Sequence, residues 1–406
     1  MLDPKLIREH PEKVKESLKR RKENTRIVDE WLEKDKLFRE LKAKLDSLRH
    51  QRNLVSEEIN KLIKAGKKEE AKNKIEEAKK IAGSARKLEE QLKEVQQKLK
   101  EITLLIPNIV FYRLSKEKIV HKYGKEKKEK GHKDYLQILH DFDLIDFDSA
   151  IYISGEGFFV LKDKAATLMR ALINFCLDVA RKKYREVYLP VLLREEVVLN
   201  SAHLPRFKEG MYVTRDNFYL SPTEEAALLN LYAGKTIKAE ELPLNFTAYT
   251  PSFRTEKGAT KGLIRTHQFD EVELFKFTKQ ETSNEELKKM VRDASEPLKL
   301  LNLPFRIKLL PPWEIAAQAS ITYDIEVFSP KTGWLEVSSC SNCLDYQARR
   351  ARIFYEEKGE RKFVHTLNGT CLGIGRLFIA LIENYQQKDC IAIPKILQKY
   401  TGFKKI

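Results

Sequence analysis

The sequence is poor in the features that mark secreted and membrane proteins. Its 406 residues include only five cysteines, an odd number without the spacing of a disulfide framework, which indicates a reducing compartment. No apolar run reaches the roughly 18 residues that a membrane-spanning helix needs. The N-terminal stretch MLDPKLIREHPEKVKESLKRR also lacks the apolar core of a signal peptide. The sequence therefore predicts a soluble, cytoplasmic protein without a membrane partner.

Two common nucleotide-binding motifs are also absent. The sequence contains neither a Gly-x-x-x-x-Gly-Lys-Ser/Thr segment nor a Gly-x-Gly-x-x-Gly segment. The first absence argues against a P-loop protein, and the second argues against a dinucleotide-binding fold. Any nucleotide chemistry must therefore use another architecture.

What the sequence has in excess is positive charge. It contains 76 lysines and arginines against 60 aspartates and glutamates, so its formal charge is +16. Such an excess is typical of proteins that bind nucleic acid, although a well-solvated basic enzyme can have the same composition. The length of 406 residues favours two domains over one.

The first quarter of the chain has a helical pattern. Residues 28–104 contain no proline, and apolar side chains recur at helical spacing on both sides of a turn at residues 65–68. Two helices joined by so short a turn can satisfy both apolar stripes only as an antiparallel coiled coil. The apolar positions are Leu41, Leu45, Leu48, Val55, Ile59, Leu62, Ala71, Ile75, Ala78, Ala85, Leu88, Leu92, Val95, Leu99 and Ile102.

This predicted arm is basic. Residues 1–110 contain 29 basic and 21 acidic side chains, a difference of +8, which is half of the net charge. A basic arm too thin to bury a core of its own suits binding along an RNA backbone. A coiled coil that serves only for dimerisation is the alternative.

The rest of the chain has a mixed pattern. Residues 111–150 begin with a second basic run, which is typical of a solvated linker. Over residues 151–406 short β-rich runs alternate with longer helical ones, which predicts an α+β domain with a mainly antiparallel sheet. The predicted strands include 158–161, 187–189 and 323–327, and the predicted helices include 165–180 and 285–301.

Two segments of this domain carry groups that suit ATP chemistry. Residues 252–275 read SFRTEKGATKGLIRTHQFDEVELF, and residues 368–386 read NGTCLGIGRLFIALIENYQ. Arg254 and Arg376 offer planar guanidinium groups to phosphate oxygens, and Phe269 offers a stacking face to adenine. Glu336 and Ser339 supply hard oxygen ligands suitable for Mg²⁺. Activation of a carboxylate by ATP needs such cations and metal ligands, although a structural salt bridge explains any single arginine equally well.

These segments resemble the second and third signature motifs of class II aminoacyl-tRNA synthetases, in the form found in seryl-tRNA synthetases. Residues 221–225 resemble the Thr-x-Glu loop of that family, and residues 334–342 resemble its Glu-x-Ser-Ser-Cys-Ser-Asn strand. Residues 187–190 lie where the dimer-forming first motif is expected. The resemblance implies a tRNA-binding domain at 1–110, with its arm at about 28–104, a basic linker at 111–150 and a class II catalytic domain at 151–406.

The resemblance also implies roles for individual residues. Arg254 and Arg376 are the catalytic cations, and Glu336 and Ser339 are the Mg²⁺ ligands. The residues implied for ATP are Arg254, Glu256, Arg265, Phe269, Glu336, Ser339 and Arg376. The residues implied for serine are Thr223 and Glu225 at the ammonium group, Glu273 nearby, and Asn368 and Thr370 at the hydroxyl.

The implied activity is a Mg²⁺-dependent serine-tRNA ligase that binds serine, ATP and tRNA-Ser as a homodimer. A synthetase-derived RNA-binding protein with reduced or lost catalysis is the main alternative. Ligation of an activated amino acid to a carrier protein would leave the basic arm without a purpose. Cys340 and Cys343 form a Cys-x-x-Cys pair without a second pair at zinc spacing, which predicts buried thiols rather than a metal site.

Overall fold

The computed structural model describes residues 1–127, 131–255 and 262–406. The chain divides into two compact units, one formed by Leu2–Pro107 and the other by Met1 together with Asn108–Ile406. Within the described part of the chain, no helix has the length and apolar character of a membrane span.

The N-terminal unit is helical, and two long antiparallel helices dominate it. Its helices are α1 Pro4–Glu9, α2 Pro11–Arg20, α3 Arg26–Lys64 and α4 Lys68–Leu105. The ion pair between Arg49 and Glu89 and the one between Glu58 and Lys74, each 2.9 Å long, fix the antiparallel register of α3 and α4. Gly66 turns the chain with a φ of 74°, a conformation that glycine adopts without strain. The predicted coiled coil is confirmed.

The contact between α3 and α4 is well buried only at part of its length. Leu41, Leu45 and Ala85 are buried as predicted, and the indole nitrogen of Trp31 donates to the Thr103 hydroxyl over 2.7 Å. Nearer the turn the seam residues Val55 and Ala71 are also buried, whereas Leu48, Ile59 and Leu62 are only partly buried, because two helices alone cannot enclose a core.

A large sheet forms the centre of the C-terminal unit. The strands of the unit are β1 Lys118–Tyr123, β2 Ile145–Asp146, β3 Val160–Leu161, β4 Arg185–Glu186, β5 Leu192–Leu193, β6 Tyr219–Leu220, β7 Thr236–Lys238, β8 Leu244–Phe253, β9 Gln268–Thr278, β10 Phe305–Leu309, β11 Ile321–Ser329, β12 Gly333–Asn342, β13 Phe354–Glu357, β14 Glu360–Phe363 and β15 His365–Gly373. Among the described residues, eight of these strands pair in the order β1-β10-β11-β12-β15-β9-β8-β4, and only the β4–β8 pair of this sheet is parallel. The predicted mainly antiparallel sheet is confirmed.

Helices cover both faces of this sheet. They are α5 Tyr135–Asp141, α6 Phe147–Ser154, α7 Asp163–Ala180, α8 Glu195–Asn200, α9 Glu224–Asn230, α10 Ser283–Leu300, α11 Tyr346–Ala351, α12 Ile374–Tyr385 and α13 Gln398–Thr401. Side chains along β9 alternate between two cores. Leu274 packs into the core that contains α7, α10 and α12, whereas Phe275 and Phe277 pack into the core that contains α8 and α9.

One predicted strand is wrong. Residues 187–189 are not in a strand, and the pairing with β8 is confined to Arg185 and Glu186. The Val187 amide still donates to the Thr247 carbonyl over 2.9 Å, but Pro190 has no amide hydrogen to continue the ladder. Tyr188 contributed to the strand prediction because aromatic residues favour buried strands, but its side chain is 97% exposed in this chain.

Candidate active site

A cavity of about 450 Å³ opens where two strands of the large sheet separate. β12 pairs with β15 only over Cys340, Ser341 and Asn342, whereas β15 continues beside β9 as far as Gly373. Residues 336–339 line one side of the resulting gap, and residues 269–271 line the other. The further lining residues are Arg254, Leu263, Ile264, Arg265, Thr266, Thr370, Gly373, Gly375 and Arg376.

Arg254 and Phe269 face each other in this cavity. The Arg254 guanidinium carbon lies 4.9 Å from the centroid of the Phe269 ring, a cation–π distance. Its Nε atom donates to the Pro222 carbonyl over 3.0 Å, and its backbone amide donates to the His267 carbonyl over 2.9 Å. The side chain is thus held at the end of β8 with part of its guanidinium group directed to the cavity.

Arg376 enters the cavity from the first turn of α12. Its Nε atom donates to the Ile264 carbonyl over 3.1 Å, and one terminal nitrogen donates to the Glu336 carbonyl over 2.8 Å. The Glu336 carboxylate lies 3.8 Å from that same nitrogen. Arg376 therefore connects α12, the segment before β9 and β12.

Glu336 and Ser339 reach the same face because β12 contains a bulge. Residues three apart on a regular strand point to opposite faces, but an extra residue here shifts the register. Ser339 consequently lies opposite Asp324, and Glu336 lies opposite Glu326. Burial and the nearby Glu336 carboxylate raise the pKa of Asp324 to about 7.

Glu225 and Asn368 are joined by a hydrogen bond close to the cavity: neither residue lines it, but Thr370, two residues after Asn368 on β15, does. The Asn368 amide donates to the Glu225 carboxylate over 2.8 Å, and Gln347 donates to the same oxygen. Thr223 caps α9, since its hydroxyl accepts from the Glu225 amide over 3.3 Å. Burial raises the pKa of Glu225 to about 7.

Glu273 and Thr370 lie opposite each other on β9 and β15. Burial raises the pKa of Glu273 well above its ordinary value, and the neighbouring carboxyls of Glu271 and Glu225 add to that rise. The Thr370 hydroxyl bonds to Glu273 and opposes the shift. The structure thus places the five candidate serine residues on adjoining elements.

Two candidates remain, Arg265 and Glu256. Arg265 lines this cavity and also a neighbouring cavity that contains Arg206, Phe207 and Lys208. Glu256, predicted to contact adenine, lies outside the described residues.

Sequence reasoning missed several buried polar groups around the cavity. Glu271 lines it, and Glu224 lies directly behind Glu271. The signal for Glu271 was present, because Phe269, Glu271 and Glu273 alternate along one strand face. No sequence signal pointed to Gln347. His203 does stand out in the sequence, because the family resemblance implies a glutamine at this position. Burial and the charge of Arg254 lower the pKa of His203 to about 3.

The cysteines behave as predicted. Cys340 and Cys343 are buried free thiols, and burial raises the pKa of Cys340 to about 12. A thiol with so high a pKa is unreactive at neutral pH.

Comparison with known proteins first identifies the class. The domain description "tRNA synthetase class II core domain (G, H, P, S and T)" matches residues 211–385. These residues include the strands that hold Arg254, Phe269 and Glu336 and the helix that holds Arg376. This part of the chain therefore has the fold of a class II aminoacyl-tRNA synthetase core.

More specific matches cover the whole chain. The description "Seryl-tRNA synthetase N-terminal domain" matches residues 1–110. A serine–tRNA ligase from Methanosarcina barkeri is 41% identical over 419 residues, covering 100% of this chain and 98% of the relative. The chain belongs to the seryl-tRNA synthetase family, the ATP-dependent ligases that join serine to tRNA.

Solved structures agree with this assignment. Seryl-tRNA synthetase from Pyrococcus horikoshii, complexed with ATP, is 32% identical and has a TM-score of 0.92, covering 100% of this chain and 99% of that chain. The cytoplasmic serine–tRNA ligase from Naegleria fowleri, in complex with AMP, is 26% identical and has a TM-score of 0.87, covering 100% of this chain and 98% of that chain.

Proposed function

We propose that ATP and serine react in the cavity between β9 and β12 and that the seryl group is then transferred to the 3′ end of tRNA-Ser. The observation that carries the proposal is the placement of two sets of groups, one lining the cavity and one on elements next to it. Arg254, Phe269 and Arg376 suit a nucleotide, whereas the hydrogen-bonded pair of Glu225 and Asn368 suits a small amino acid.

The ATP end of the cavity contains two guanidinium groups on different elements. Phe269 stacks on adenine, Arg254 contacts the α-phosphate, and Arg376 lies near the γ-phosphate, with Arg265 on the triphosphate. The relatives solved with ATP and with AMP support this assignment. Fixed cations stabilise the negative charge that develops when pyrophosphate leaves, and they require no rearrangement at that moment.

Glu336 and Ser339 fit a magnesium ion. The bulge in β12 brings their hard oxygen ligands to one face of the cavity, and Glu336 is half-exposed. Mg²⁺ in nucleotide sites takes one or two protein oxygens together with substrate phosphates, which agrees with so small a protein set. When bound, the ion neutralises phosphate charge. The arginines of this chain then orient the α-phosphate in line with the serine carboxylate.

The serine end is formed by buried polar groups. Glu225 and Thr223 receive the ammonium group with Glu273 nearby, while Asn368 and Thr370 bond the serine hydroxyl. A buried site that hydrogen-bonds a hydroxyl rejects an analogue without one, since its own polar groups would be left unpaired. The site therefore rejects alanine because alanine has no hydroxyl to bond these groups, and it rejects larger amino acids because their side chains do not fit.

The basic N-terminal unit and the exposed first-motif segment suggest the macromolecular partners. The arm of α3 and α4 binds the backbone of tRNA-Ser, with its excess of positive charge as the attraction. Tyr188 and Tyr152, which are 97% and 93% exposed, lie at the interface of a homodimer. Sedimentation equilibrium tests the dimer, and a monomer of 47.4 kDa at micromolar concentration contradicts it.

ATP–pyrophosphate exchange tests the proposed activity. We expect serine to stimulate exchange, with alanine and threonine at least about a hundredfold weaker in kcat/KM. Charging of purified tRNA with labelled serine tests the second step. Exchange that responds to another amino acid and not to serine contradicts the substrate assignment. A chain that binds tRNA without exchange is the RNA-binding alternative.

A further inference from the structure

Four buried carboxyl groups surround the proposed serine pocket, and two of them have no role in the mechanism above. Glu224 is 0% exposed, Glu225 is 5%, Glu271 is 6% and Glu273 is 3%. Only Glu225 and Glu273 were assigned to the ammonium group. Among the described residues, the positive charge of Arg254 lowers the pKa of Glu225 and that of Glu273, and so partly opposes the effect of burial on these two carboxyls.

Glu224 and Glu271 belong to one hydrogen-bonded cluster. The Ser252 hydroxyl lies 3.4 Å from a Glu224 oxygen and 3.2 Å from a Glu271 oxygen. The other carboxyl oxygen of Glu224 is fully buried and receives no hydrogen bond from any described donor. A protonated Glu224 carboxyl can keep its contact with Ser252 and act as the hydrogen-bond donor to Glu271.

Ionisation of Glu224 is disfavoured at this place. Two negative charges so close together and shielded from water repel each other strongly, and each also loses its hydration. Burial raises the pKa of Glu224 well above its ordinary value, and the charges of Glu271 and Glu273 raise it further. Glu224 is therefore the neutral member of the pair.

Glu271 is the member that reaches the substrate. It lines the cavity and lies on β9 two residues from Phe269 and two from Glu273, so all three side chains are on the same face of the strand. The partner strand places Thr250 opposite Glu271 and Ser252 diagonally from it. A carboxylate in this position faces the space between the adenine platform and the ammonium pocket.

We propose that Glu271 is a further specificity-determining residue, whose carboxylate attracts the substrate ammonium group, and that protonated Glu224 is a positioning residue that orients it. This inference rests on the proposed serine pocket. It explains why two further carboxyls are buried behind that pocket. The negative field also disfavours substrates that carry a second carboxylate.

The test compares three variants by ATP–pyrophosphate exchange. Glu271→Gln keeps the shape of the side chain and removes its charge, so the KM for serine should rise about tenfold. Glu224→Ala removes the donor and should raise the same KM about tenfold, whereas Glu224→Gln retains an N–H donor and should restore most of the loss. The KM for ATP should change by less than about twofold in each variant, since the proposed phosphate contacts are made by the arginines.

Two controls separate a local effect from a loss of structure. Glu285→Gln removes an exposed carboxylate from α10 and should behave like the unmodified chain. Ser252→Ala removes the bridging hydroxyl and should raise the serine KM in the same direction as Glu271→Gln, which preserves the test if a glutamate variant unfolds.

The outcomes are distinct. An unchanged serine KM in Glu271→Gln overturns the inference while leaving the proposed function intact. Equal losses in Glu224→Gln and Glu224→Ala overturn the role of Glu224 as a neutral donor. An unmodified chain that shows no serine-dependent exchange overturns both this inference and the proposed function.

Discussion

Arg254 is restrained at two points of its side chain. Its Nε atom donates to the Pro222 carbonyl over 3.0 Å, and its guanidinium plane lies against the Phe269 ring. The remaining N–H groups are oriented before any ligand arrives. Such pre-organisation is the main source of catalysis where charge develops on a phosphate.

We expect Arg254→Ala to lower kcat/KM for ATP–pyrophosphate exchange by about 10²- to 10³-fold, the range typical of losing one pre-organised donor. Arg254→Lys should recover only part of this loss, because an ammonium group keeps the charge but not the planar fork. Near-equal activity of Lys and Arg would show that charge alone matters here. Circular dichroism should be unchanged in both variants.

Serine binding should depend on pH through Glu225. Burial raises the pKa of Glu225 to about 7, so the empty site is largely protonated below neutrality. The ammonium group of serine pairs with the ionised form, and binding must therefore strengthen as the pH rises through 7. For one such group the KM for serine should fall about tenfold between pH 6 and pH 8.

The measurement is the KM for serine at each pH, with the KM for ATP as the internal reference. Glu225→Gln should flatten the profile and leave the KM high throughout. A KM that rises with pH in the unmodified chain would contradict the assignment of Glu225 to the ammonium group.

At the scale of elements, the approach of α12 to the segment before β9 sets the width of the cavity. A Cβ atom added at Gly375 would lie 3.2 Å from the Leu263 carbonyl oxygen, and Arg376 bonds to the next carbonyl, that of Ile264. Because the obstacle is backbone, Gly375→Ala should displace Arg376 by a few tenths of an ångström.

We expect Gly375→Ala to raise the KM for ATP about fivefold, with a smaller change in the KM for serine. Gly373→Ala is the matched control, since its Cβ would lie 3.8 Å from the nearest backbone oxygen, an ordinary contact. A larger loss in Gly373→Ala than in Gly375→Ala would contradict this account.

The same elements show what the sequence could predict. The coiled coil and the helices α7 and α10 follow from periodicity, which is a local property. The site residues on β9 and α12 could be named because they stand in contiguous motifs. The common face of Glu336 and Ser339 depends on a bulge, however, and regular alternation would have separated them. Glu224 and Glu271 meet only through the packing of α9 on β8 and β9, which no linear pattern encodes.

At the scale of the whole molecule, the two compact units differ in charge and in their share of the cavity lining. The C-terminal unit contains every described residue that lines the cavity. Residues 1–110 carry 29 basic against 21 acidic side chains, and they contribute none of the cavity lining. Adenylate formation should therefore be separable from recognition of tRNA.

Shortening the arm tests this division. Arg49 and Glu89 are paired across the two helices at 2.9 Å, so residues 50–88 can be replaced by a short glycine-containing turn. The Trp31–Thr103 hydrogen bond and the buried Leu41 and Leu45 would remain. We expect serine-dependent exchange to stay within about twofold, because the cavity is untouched, while kcat/KM for tRNA charging falls at least about a hundredfold.

A second measurement identifies the cause of that loss. Replacing lysines of the arm by neutral side chains should weaken tRNA binding in proportion to their number. The slope of log Kd against log salt concentration should fall by about one unit for each phosphate contact that is lost. Variants with acidic side chains of the arm neutralised to Gln provide the matched control, and they should bind at least as tightly. If the shortened protein charges tRNA as well as the full chain does, residues 50–88 are not the recognition element, and the tRNA must be bound by the remaining residues.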